Sequence, residues 1–186
     1  MKVSIGVSNH HVHLTREDLD IVYGKGYQLT VHKMINQPGQ YAAEERVDIK
    51  INGRELKGLR IVGPERDYTQ VEVTQTDCNY FETSCPIRDS GDLKGATLVE
   101  ITGPNGTVKR ECAIIADRHI HVTKEIRKEK GLENIDMVKV KFENGVILDE
   151  VRIKETKTAY YEMHIDRDDS NEYDIQNGDI GEIIYE

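Results

Sequence analysis

A segment near the start of the chain recurs 108 residues later. Residues 7–17 read VSNHHVHLTRE, and residues 115–125 read IADRHIHVTKE. Each copy contains a His-x-His pattern, then a threonine that can cap a helix, then acidic residues that favour the first helical turn. An offset of this length is too long for a solenoid repeat, so it indicates a duplicated lobe rather than a stacked array. The repeat therefore predicts that the chain folds as two similar halves.

The sequence between the repeats predicts mostly β-structure, because apolar and polar residues alternate and β-branched side chains are frequent. The clearest runs are residues 46–51, 70–74, 137–142 and 151–154. Turn sequences such as Asn52-Gly53 and Asn144-Gly145 separate them. Helices are expected after each His-x-His pattern, over residues 15–21 and 123–129. We predict a mostly β fold with short helices, in which two similar β-barrel lobes arise from an internal duplication, each with a helical cap.

The composition excludes several functions. The 34 Asp+Glu residues outnumber the 25 Lys+Arg residues, which gives a formal net charge of −9. We therefore expect no nucleic-acid partner and no adsorption to an anionic membrane. The sequence has no run of apolar residues long enough to span a bilayer and begins without a leader-like segment, so a cytoplasmic location is expected. The three cysteines form no CxxC pair, which predicts free thiols rather than a thiolate zinc site.

The His-x-His pattern is the strongest sign of chemistry. In an extended strand, residues i and i+2 project from the same face, so His11 and His13 can offer two imidazoles to one metal ion. His119 and His121 repeat the arrangement. About 0.26 such pairs are expected by chance from seven histidines in 186 residues, so two in the same frame favour metal binding. A catalytic zinc site usually has three protein ligands. From spacing alone, the third ligand stays open among His10, His32, His164 and many carboxylates.

Seven segments resemble the PduL-type phosphate acyltransferases (phosphate propanoyltransferases). They occur in family order, between about Val7 and Asn171. The segments are residues 8–14, 37–45, 62–66, 69–72, 86–92, 118–121 and 162–166. The resemblance implies transfer of an acyl group, propionyl or acetyl, between coenzyme A and inorganic phosphate, an activity used in propanediol degradation. Members associated with bacterial microcompartments carry an N-terminal encapsulation extension, which we expect to be absent here.

The resemblance also implies ligand sets for two zinc ions per chain, each joining one His-x-His pair to a later residue. The sets are His11, His13 and Glu72, and His119, His121 and His164. It further implies a homodimer and two discontinuous lobes, the first over residues 10–116 and the second over residues 1–9 and 117–186. Without the resemblance, an alternating-strand residue such as Glu72 is by default a solvated side chain.

Substrate-binding residues follow from the same resemblance. Arg66 matches the catalytic, phosphate-binding arginine of the family, and Ser90 lies in a segment that lines the phosphate pocket. Positions that contact coenzyme A in the family are Val7, Ser8, Asn9, Arg60 and Asn171. Our hypothesis for the mechanism is direct attack of a zinc-bound coenzyme A thiolate on the acyl phosphate, since zinc favours the thiolate at neutral pH. The all-histidine set is expected to be the more positive of the two.

Two other readings stay open. In a bicupin metalloenzyme, the spacing of Glu17 after His13 would complete the first cupin motif. In a non-catalytic zinc-binding module, the histidines would hold metal for stability alone. The chain also departs from the family at Lys154, Cys112 and Val146, where arginine, a glycine-containing turn and arginine are usual. These departures bear on the coenzyme A and phosphate contacts more than on the metal ligands.

Overall fold

Strand pairing builds two closed six-stranded barrels within residues 1–185, the part of the chain that the computed structural model describes. Asn9–Ala116 form one compact unit, here the first lobe. Met1–Ser8 and the chain from Asp117 onward form the other, here the second lobe. The predicted mostly β fold with two similar barrel lobes is confirmed. The predicted ranges, 10–116 and 1–9 with 117–186, stay our proposal for the domains, and residue 186 lies outside the described residues.

The elements alternate short and long strands with brief helices. In chain order they are β1 (Lys2–Ser8), β2 (His11–His13), α1 (Arg16–Tyr23), β3 (Val31–Met34), β4 (Tyr41–Ile51), β5 (Arg54–Gly63), β6 (Gln70–Glu72), α2 (Gln75–Tyr80), β7 (Ile87–Arg88), β8 (Thr97–Thr102), β9 (Thr107–Ala116), β10 (His119–Val122), α3 (Lys124–Glu129), β11 (Met137–Phe142), β12 (Ile147–Glu155), β13 (Glu162–Asp166), α4 (Arg167–Tyr173) and β14 (Ile180–Ile184).

The two barrels repeat one pairing scheme. The first lobe closes in the order β4-β5-β2-β6-β9-β8, because β8 pairs with both β9 and β4, while β3 and β7 extend the sheet at its edges. The second lobe closes in the order β1-β13-β10-β12-β11-β14. In each, the His-x-His strand lies between a parallel and an antiparallel neighbour: β5 and β6 around β2, and β12 and β13 around β10. The duplication therefore extends from the motif to the strand order around it.

The helices begin where capping side chains predict. Thr15 and Thr123 are the N-caps of α1 and α3, and each accepts a hydrogen bond from a backbone N–H of the first turn. Asp166 caps α4 in the same way, by accepting a hydrogen bond from the backbone N–H of Asp169. In residues 1–185, no helix combines the length and the apolarity that crossing a membrane requires.

Each lobe has its own apolar core, and the core includes the residue between the two histidines of each motif. Val12 and Ile120 are fully buried, in the first and second cores respectively. Because side chains alternate along a strand, this burial turns the flanking histidines to the opposite face. Burial of Val12 and Ile120 on one face of each His-x-His strand thus determines that the imidazoles project from the other face.

We expect Ile120→Ala to lower the free energy of unfolding by about 2–5 kcal/mol, since it leaves a cavity in the second core. Ile147→Ala is the matched control, because Ile147 lies on β12 of the same lobe but is 50% exposed; its effect should stay within about 0.5 kcal/mol. Urea unfolding followed by circular dichroism measures both. Equal losses in the two variants would contradict the burial of Ile120.

Candidate metal centres and phosphate site

The first group of candidate ligands forms where β2 meets β6. The two strands are antiparallel, with His11 directly opposite Glu72. The Nε2 atoms of His11 and His13 are 3.0 Å apart. Oε2 of Glu72 lies 2.9 Å from Nε2 of His11 and 3.0 Å from Nε2 of His13. Three ligand atoms thus converge on one point, with spacings near the roughly 3.3 Å edge of a tetrahedron with zinc–nitrogen bonds of about 2.05 Å.

The hydrogen bonds behind the imidazoles explain why this group fits a cation. Nδ1–H of His11 donates to the carbonyl of Asn9 at 2.7 Å, and Nδ1–H of His13 donates to the carbonyl of Val62 at 3.3 Å. A neutral imidazole carries one N–H and one lone pair, so both Nε2 atoms present lone pairs. With the carboxylate of Glu72 they place three acceptors within 3.0 Å of one another. A bound cation relieves their mutual repulsion, so the residues present fit a metal ion.

The electrostatics of the first group centre on the Glu72 carboxylate. Burial lowers the pKa of His13 to about 4, which keeps its imidazole neutral. Burial also acts to lower the pKa of His11, but the adjacent Glu72 carboxylate and the hydrogen bond to the carbonyl of Asn9 together raise it. Burial alone would raise the pKa of the Glu72 carboxyl group. The two imidazoles outweigh burial and hold this pKa well below its usual range. Glu72 is therefore ionised and draws positive charge towards the position between the three side chains.

The second group repeats the geometry with histidine in place of the carboxylate. On β13, which is antiparallel to β10, His164 lies directly opposite His119. Nε2 of His119 is 3.1 Å from Nε2 of His121, which is 3.2 Å from Nδ1 of His164. Nδ1–H of His119 donates to the carbonyl of Asp117 at 2.8 Å, and Nε2–H of His164 donates to Oε1 of Glu162 at 2.8 Å. Nε2 of His119 and Nδ1 of His164 therefore present lone pairs towards the group, which also fits a metal ion.

The other histidines that spacing left open as a third ligand lie outside the two groups. His10 lies outside the first group, and its Nδ1 is 3.1 Å from the carboxylate of Asp77 on α2. His32 is exposed on β3 and pairs with Glu44 at 3.0 Å. Glu17 lies in the first turn of α1 and is exposed, so it does not complete a cupin-like ligand set. The alternative of a cupin-like metal site that includes Glu17 is therefore wrong.

The guanidinium of Arg66 lies close to the first group, near enough to act on the pKa of His11 and His13. Within the described part of the chain, Arg66 forms no ion pair, and the groups that accept its hydrogen bonds are neutral. One terminal nitrogen donates to Tyr68 Oη at 3.1 Å and to Ser90 Oγ at 3.4 Å, and the other donates to Gln40 Oε1 at 3.1 Å. The structure thus brings the predicted phosphate residues Arg66 and Ser90 together. No carboxylate of residues 1–185 pairs with the positive charge of Arg66, which leaves its donors suited to an anion.

Gln70 joins the Arg66 pocket to the first group of candidate ligands, and sequence reasoning assigned Gln70 no role. It is fully buried, and its Nε2 donates to Ser90 Oγ and to Glu72 Oε2, both at 3.0 Å. Its Oε1 accepts from the backbone N–H of Gly91 at 2.8 Å. Gln70 and Glu72 are i and i+2 on β6, so the alternation that places Glu72 on the site face was the available signal. One side chain therefore orients both the carboxylate and the serine.

The predicted coenzyme A residues are divided between the lobes. Val7 and Ser8 end β1, beside β13. Asn171 lies on α4, which packs against β1 and β13. In the first lobe, Asn9 accepts the hydrogen bond from His11, and Arg60 lies opposite His11 on the parallel strand β5.

The departure at Lys154 lies beside the second group. Lys154 is opposite His121 on the parallel strand β12. Its ammonium keeps the positive charge that the family's usual arginine carries, but it lacks the planar fork of donors. The other two departures lie elsewhere: Cys112 is buried on β9, and Val146 precedes β12.

Comparison with known proteins gives one consistent result. The family model described as phosphate propanoyltransferase matches residues 4–176. A phosphate propanoyltransferase of Thermotoga maritima is 42% identical, covering 98% of this chain and 89% of the relative. One from Rhodopseudomonas palustris is 38% identical, covering 96% and 80%, and one from Clostridioides difficile is 35% identical, covering 98% and 88%.

Proposed function

Because the chain belongs to the phosphate propanoyltransferase family, whose members are phosphate acyltransferases, we propose that it interconverts propanoyl-CoA plus phosphate with propanoyl phosphate plus coenzyme A. One observation in the structure supports this most: Arg66, which forms no ion pair with residues 1–185, lies in hydrogen-bond contact with Ser90. Gln70 connects Ser90 to the first group of candidate metal ligands. Phosphate recognition and acyl chemistry need such groups close together.

Two zinc ions per chain are part of the proposal. His11, His13 and Glu72 would hold one, and His119, His121 and His164 would hold the other. A bound zinc ion supplies Lewis acidity and favours the thiolate form of a thiol at neutral pH. Three protein ligands leave a coordination position for a non-protein group, which is the pattern of catalytic rather than structural zinc. The donor sets, all nitrogen and oxygen, support this assignment.

Arg66 would bind the phosphoryl group. Its planar guanidinium offers paired N–H donors to two phosphate oxygens, and Tyr68, Ser90 and Gln40 hold it in one orientation. Its charge would then stabilise negative charge that builds up on the oxygens during transfer. Arg60, Val7, Ser8, Asn9 and Asn171 stay proposed contacts of coenzyme A. A homodimer and a cytoplasmic location likewise stay proposals.

We propose that the acyl group moves directly between sulfur and phosphate oxygen. In one direction, a phosphate oxygen attacks the thioester carbonyl, the new C–O bond forms, and the C–S bond breaks with its electron pair leaving on sulfur. In the other direction, the thiolate attacks the acyl carbonyl of the acyl phosphate, the C–S bond forms, and the C–O bond breaks with its electron pair leaving on phosphate. No side chain is acylated in this scheme, so mass spectrometry of protein quenched after propanoyl-CoA without phosphate should show none. A stable propanoyl adduct on any residue would contradict direct transfer.

The activity is tested by following free thiol with a chromogenic disulfide. We expect thiol release from propanoyl-CoA only when phosphate is present, its loss after dialysis against a chelator, and its return on adding zinc. Acetyl-CoA in parallel measures acyl preference, which one methylene should change by about 10–200-fold at most. Bound zinc with no thiol release would instead support the non-catalytic zinc-binding module.

A further inference from the structure

The third candidate ligand of each lobe occupies the same place in the duplicated barrel. Glu72 on β6 lies opposite His11, and His164 on β13 lies opposite His119. Both partner strands are antiparallel to their His-x-His strand. The duplication has therefore kept the position of the third ligand while changing its chemistry from carboxylate to imidazole.

The residue two positions before the third ligand differs between the lobes in a complementary way. In the first lobe it is Gln70, whose amide Nε2 donates to the carboxylate of Glu72 at 3.0 Å. In the second lobe it is Glu162, whose Oε1 accepts from Nε2–H of His164 at 2.8 Å. Both side chains are buried, at 0% and 5% exposure. The amide of Gln70 thus donates to the carboxylate of Glu72, which accepts. The carboxylate of Glu162 accepts the N–H of His164, which donates.

We propose that Glu162 is a positioning residue that makes Nδ1 of His164 the ligand atom of the second group. By accepting the Nε2 proton, its carboxylate selects the tautomer with the lone pair on Nδ1, the atom that faces His121 at 3.2 Å. His11, His13 and His119 are held the other way, with Nδ1–H on a backbone carbonyl. This inference rests on the proposed metal sites and adds a residue that the sequence did not single out.

The barrel leaves space for this pair at Gly6. On β1, Gly6 lies opposite His164 of the parallel strand β13. A Cβ at Gly6 would lie 2.7 Å from Oε1 of Glu162 and 2.9 Å from Cδ2 of His164, too close for either side chain to keep its place. At the equivalent position in the first lobe, opposite Glu72 on β9, the chain has the fully buried Ile114. Glycine at this position is therefore specific to the lobe that contains the Glu162–His164 pair.

The Glu162 side chain also adds an acidic group to the surroundings of the second group. Three neutral imidazoles alone would make it the more positive of the two, as the sequence suggested. Glu162 adds a buried carboxylate directly behind one imidazole, and which of the two groups is the more positive stays a prediction. Each lobe thus has a carboxylate in or against its metal group: Glu72 among the candidate ligands of the first, and Glu162 behind a ligand of the second. A carboxylate behind a ligating imidazole makes that imidazole a stronger donor.

The test isolates the second group by measuring zinc binding in a His11→Ala/His13→Ala background. Zinc affinity is measured by competition with a chromophoric chelator, and the ligating nitrogen of His164 by long-range ¹H–¹⁵N correlation spectra. Adding Glu162→Ala should weaken zinc binding about 10- to 100-fold and remove the preference for Nδ1 ligation. Glu162→Gln, which keeps an acceptor oxygen, should retain most of the affinity. Gln70→Ala in the same background is the matched control and should leave this affinity unchanged.

The outcomes separate this inference from the proposed function. If the background protein binds no zinc, the proposed second metal site fails. If it binds zinc, and Glu162→Ala binds equally tightly through Nδ1 of His164, the positioning role is overturned while the metal site stands. Thermal unfolding of the zinc-free proteins reports whether Glu162→Ala still folds. Should it not, Glu162→Leu fills the same space without an acceptor, and unchanged zinc affinity and Nδ1 ligation in that variant overturn the role.

Discussion

Replacing His11 and His13 together with alanine should remove zinc from the first lobe and lower kcat/KM for phosphate-dependent thiol release by about 10³-fold. The reason is that a catalytic metal contributes several kcal/mol of charge stabilisation, at about 1.36 kcal/mol for each tenfold in rate. Metal content by atomic emission should fall from two equivalents to one, because the second group keeps its own three histidines. The rate and the metal content are measured on the same preparation.

The control for this variant is His32→Ala. His32 belongs to the first lobe but is exposed on β3 and paired with Glu44, away from the converging ligand atoms. It should keep two equivalents of zinc and the full rate, since an exposed ion pair contributes about 0–1 kcal/mol to stability. A double variant that retains both zinc equivalents, or full activity with one, would contradict the role given to His11 and His13.

Arg66→Ala should lower kcat/KM for phosphate by about 10²- to 10³-fold, the range found when a preorganised donor to a developing oxyanion is removed. The loss has a specific cause here, because within residues 1–185 no carboxylate pairs with this guanidinium and its charge is available to an anion. Arg66→Lys should fall between the wild-type protein and Arg66→Ala, since it keeps the charge but loses the planar fork. Initial rates over a range of phosphate concentrations give kcat and KM separately.

Arg54→Ala provides the comparison for Arg66. Arg54 also lies in the first lobe, but it pairs with Glu82 at 3.0 Å on the surface and is half-exposed. Its removal should leave both kinetic constants unchanged within error. If Arg66→Ala lowered the melting temperature as well as the rate, Arg66→Lys would separate the two effects, because the longer side chain keeps the packing. An unchanged KM and kcat in Arg66→Ala would exclude Arg66 from phosphate binding.

The net charge of −9 describes the whole chain and not this pocket. Arg60 and Arg66 both lie in the first lobe, and each donates to neutral oxygens, Arg60 to the carbonyl of Ala43. Charge interactions between exposed groups fade over a Debye length of about 8–10 Å, so a distant acidic surface has little effect on a local anion site. An acidic protein can therefore bind phosphate where cationic groups converge.

Much of the local structure was predictable because it depends on residues close in sequence. Thr15 and Thr123 cap helices as their side chains predict, and the alternation in residues 137–142 marks β11. The fully buried Val12 and Ile120 explain why each His-x-His pair projects from one face. These features arise from steric and hydrogen-bonding rules that act within a few residues.

The composition of each group of candidate metal ligands was not predictable from spacing alone. His13 and Glu72 are separated by 59 positions, and His121 and His164 by 43. Which carboxylate or imidazole faces the pair depends on the register between antiparallel strands, and a shift of one residue would turn Glu72 to the other face. Family resemblance supplied the third ligands in advance, but it did not supply Gln70 or Glu162. Their roles depend on which atom of the neighbouring ligand has a proton.

The amino-acid sequence by itself therefore determined the duplication, the mostly β character, the helix starts and the pairing of two imidazoles on one strand face. Only the tertiary structure decided that Gln70 donates to Glu72, that Glu162 accepts from His164, and that Gly6 leaves room for the second pair. The physical reason is range. Alternation and capping act between neighbours in the chain, whereas hydrogen-bond polarity around a ligand depends on the strand register that brings distant residues within about 3 Å of each other.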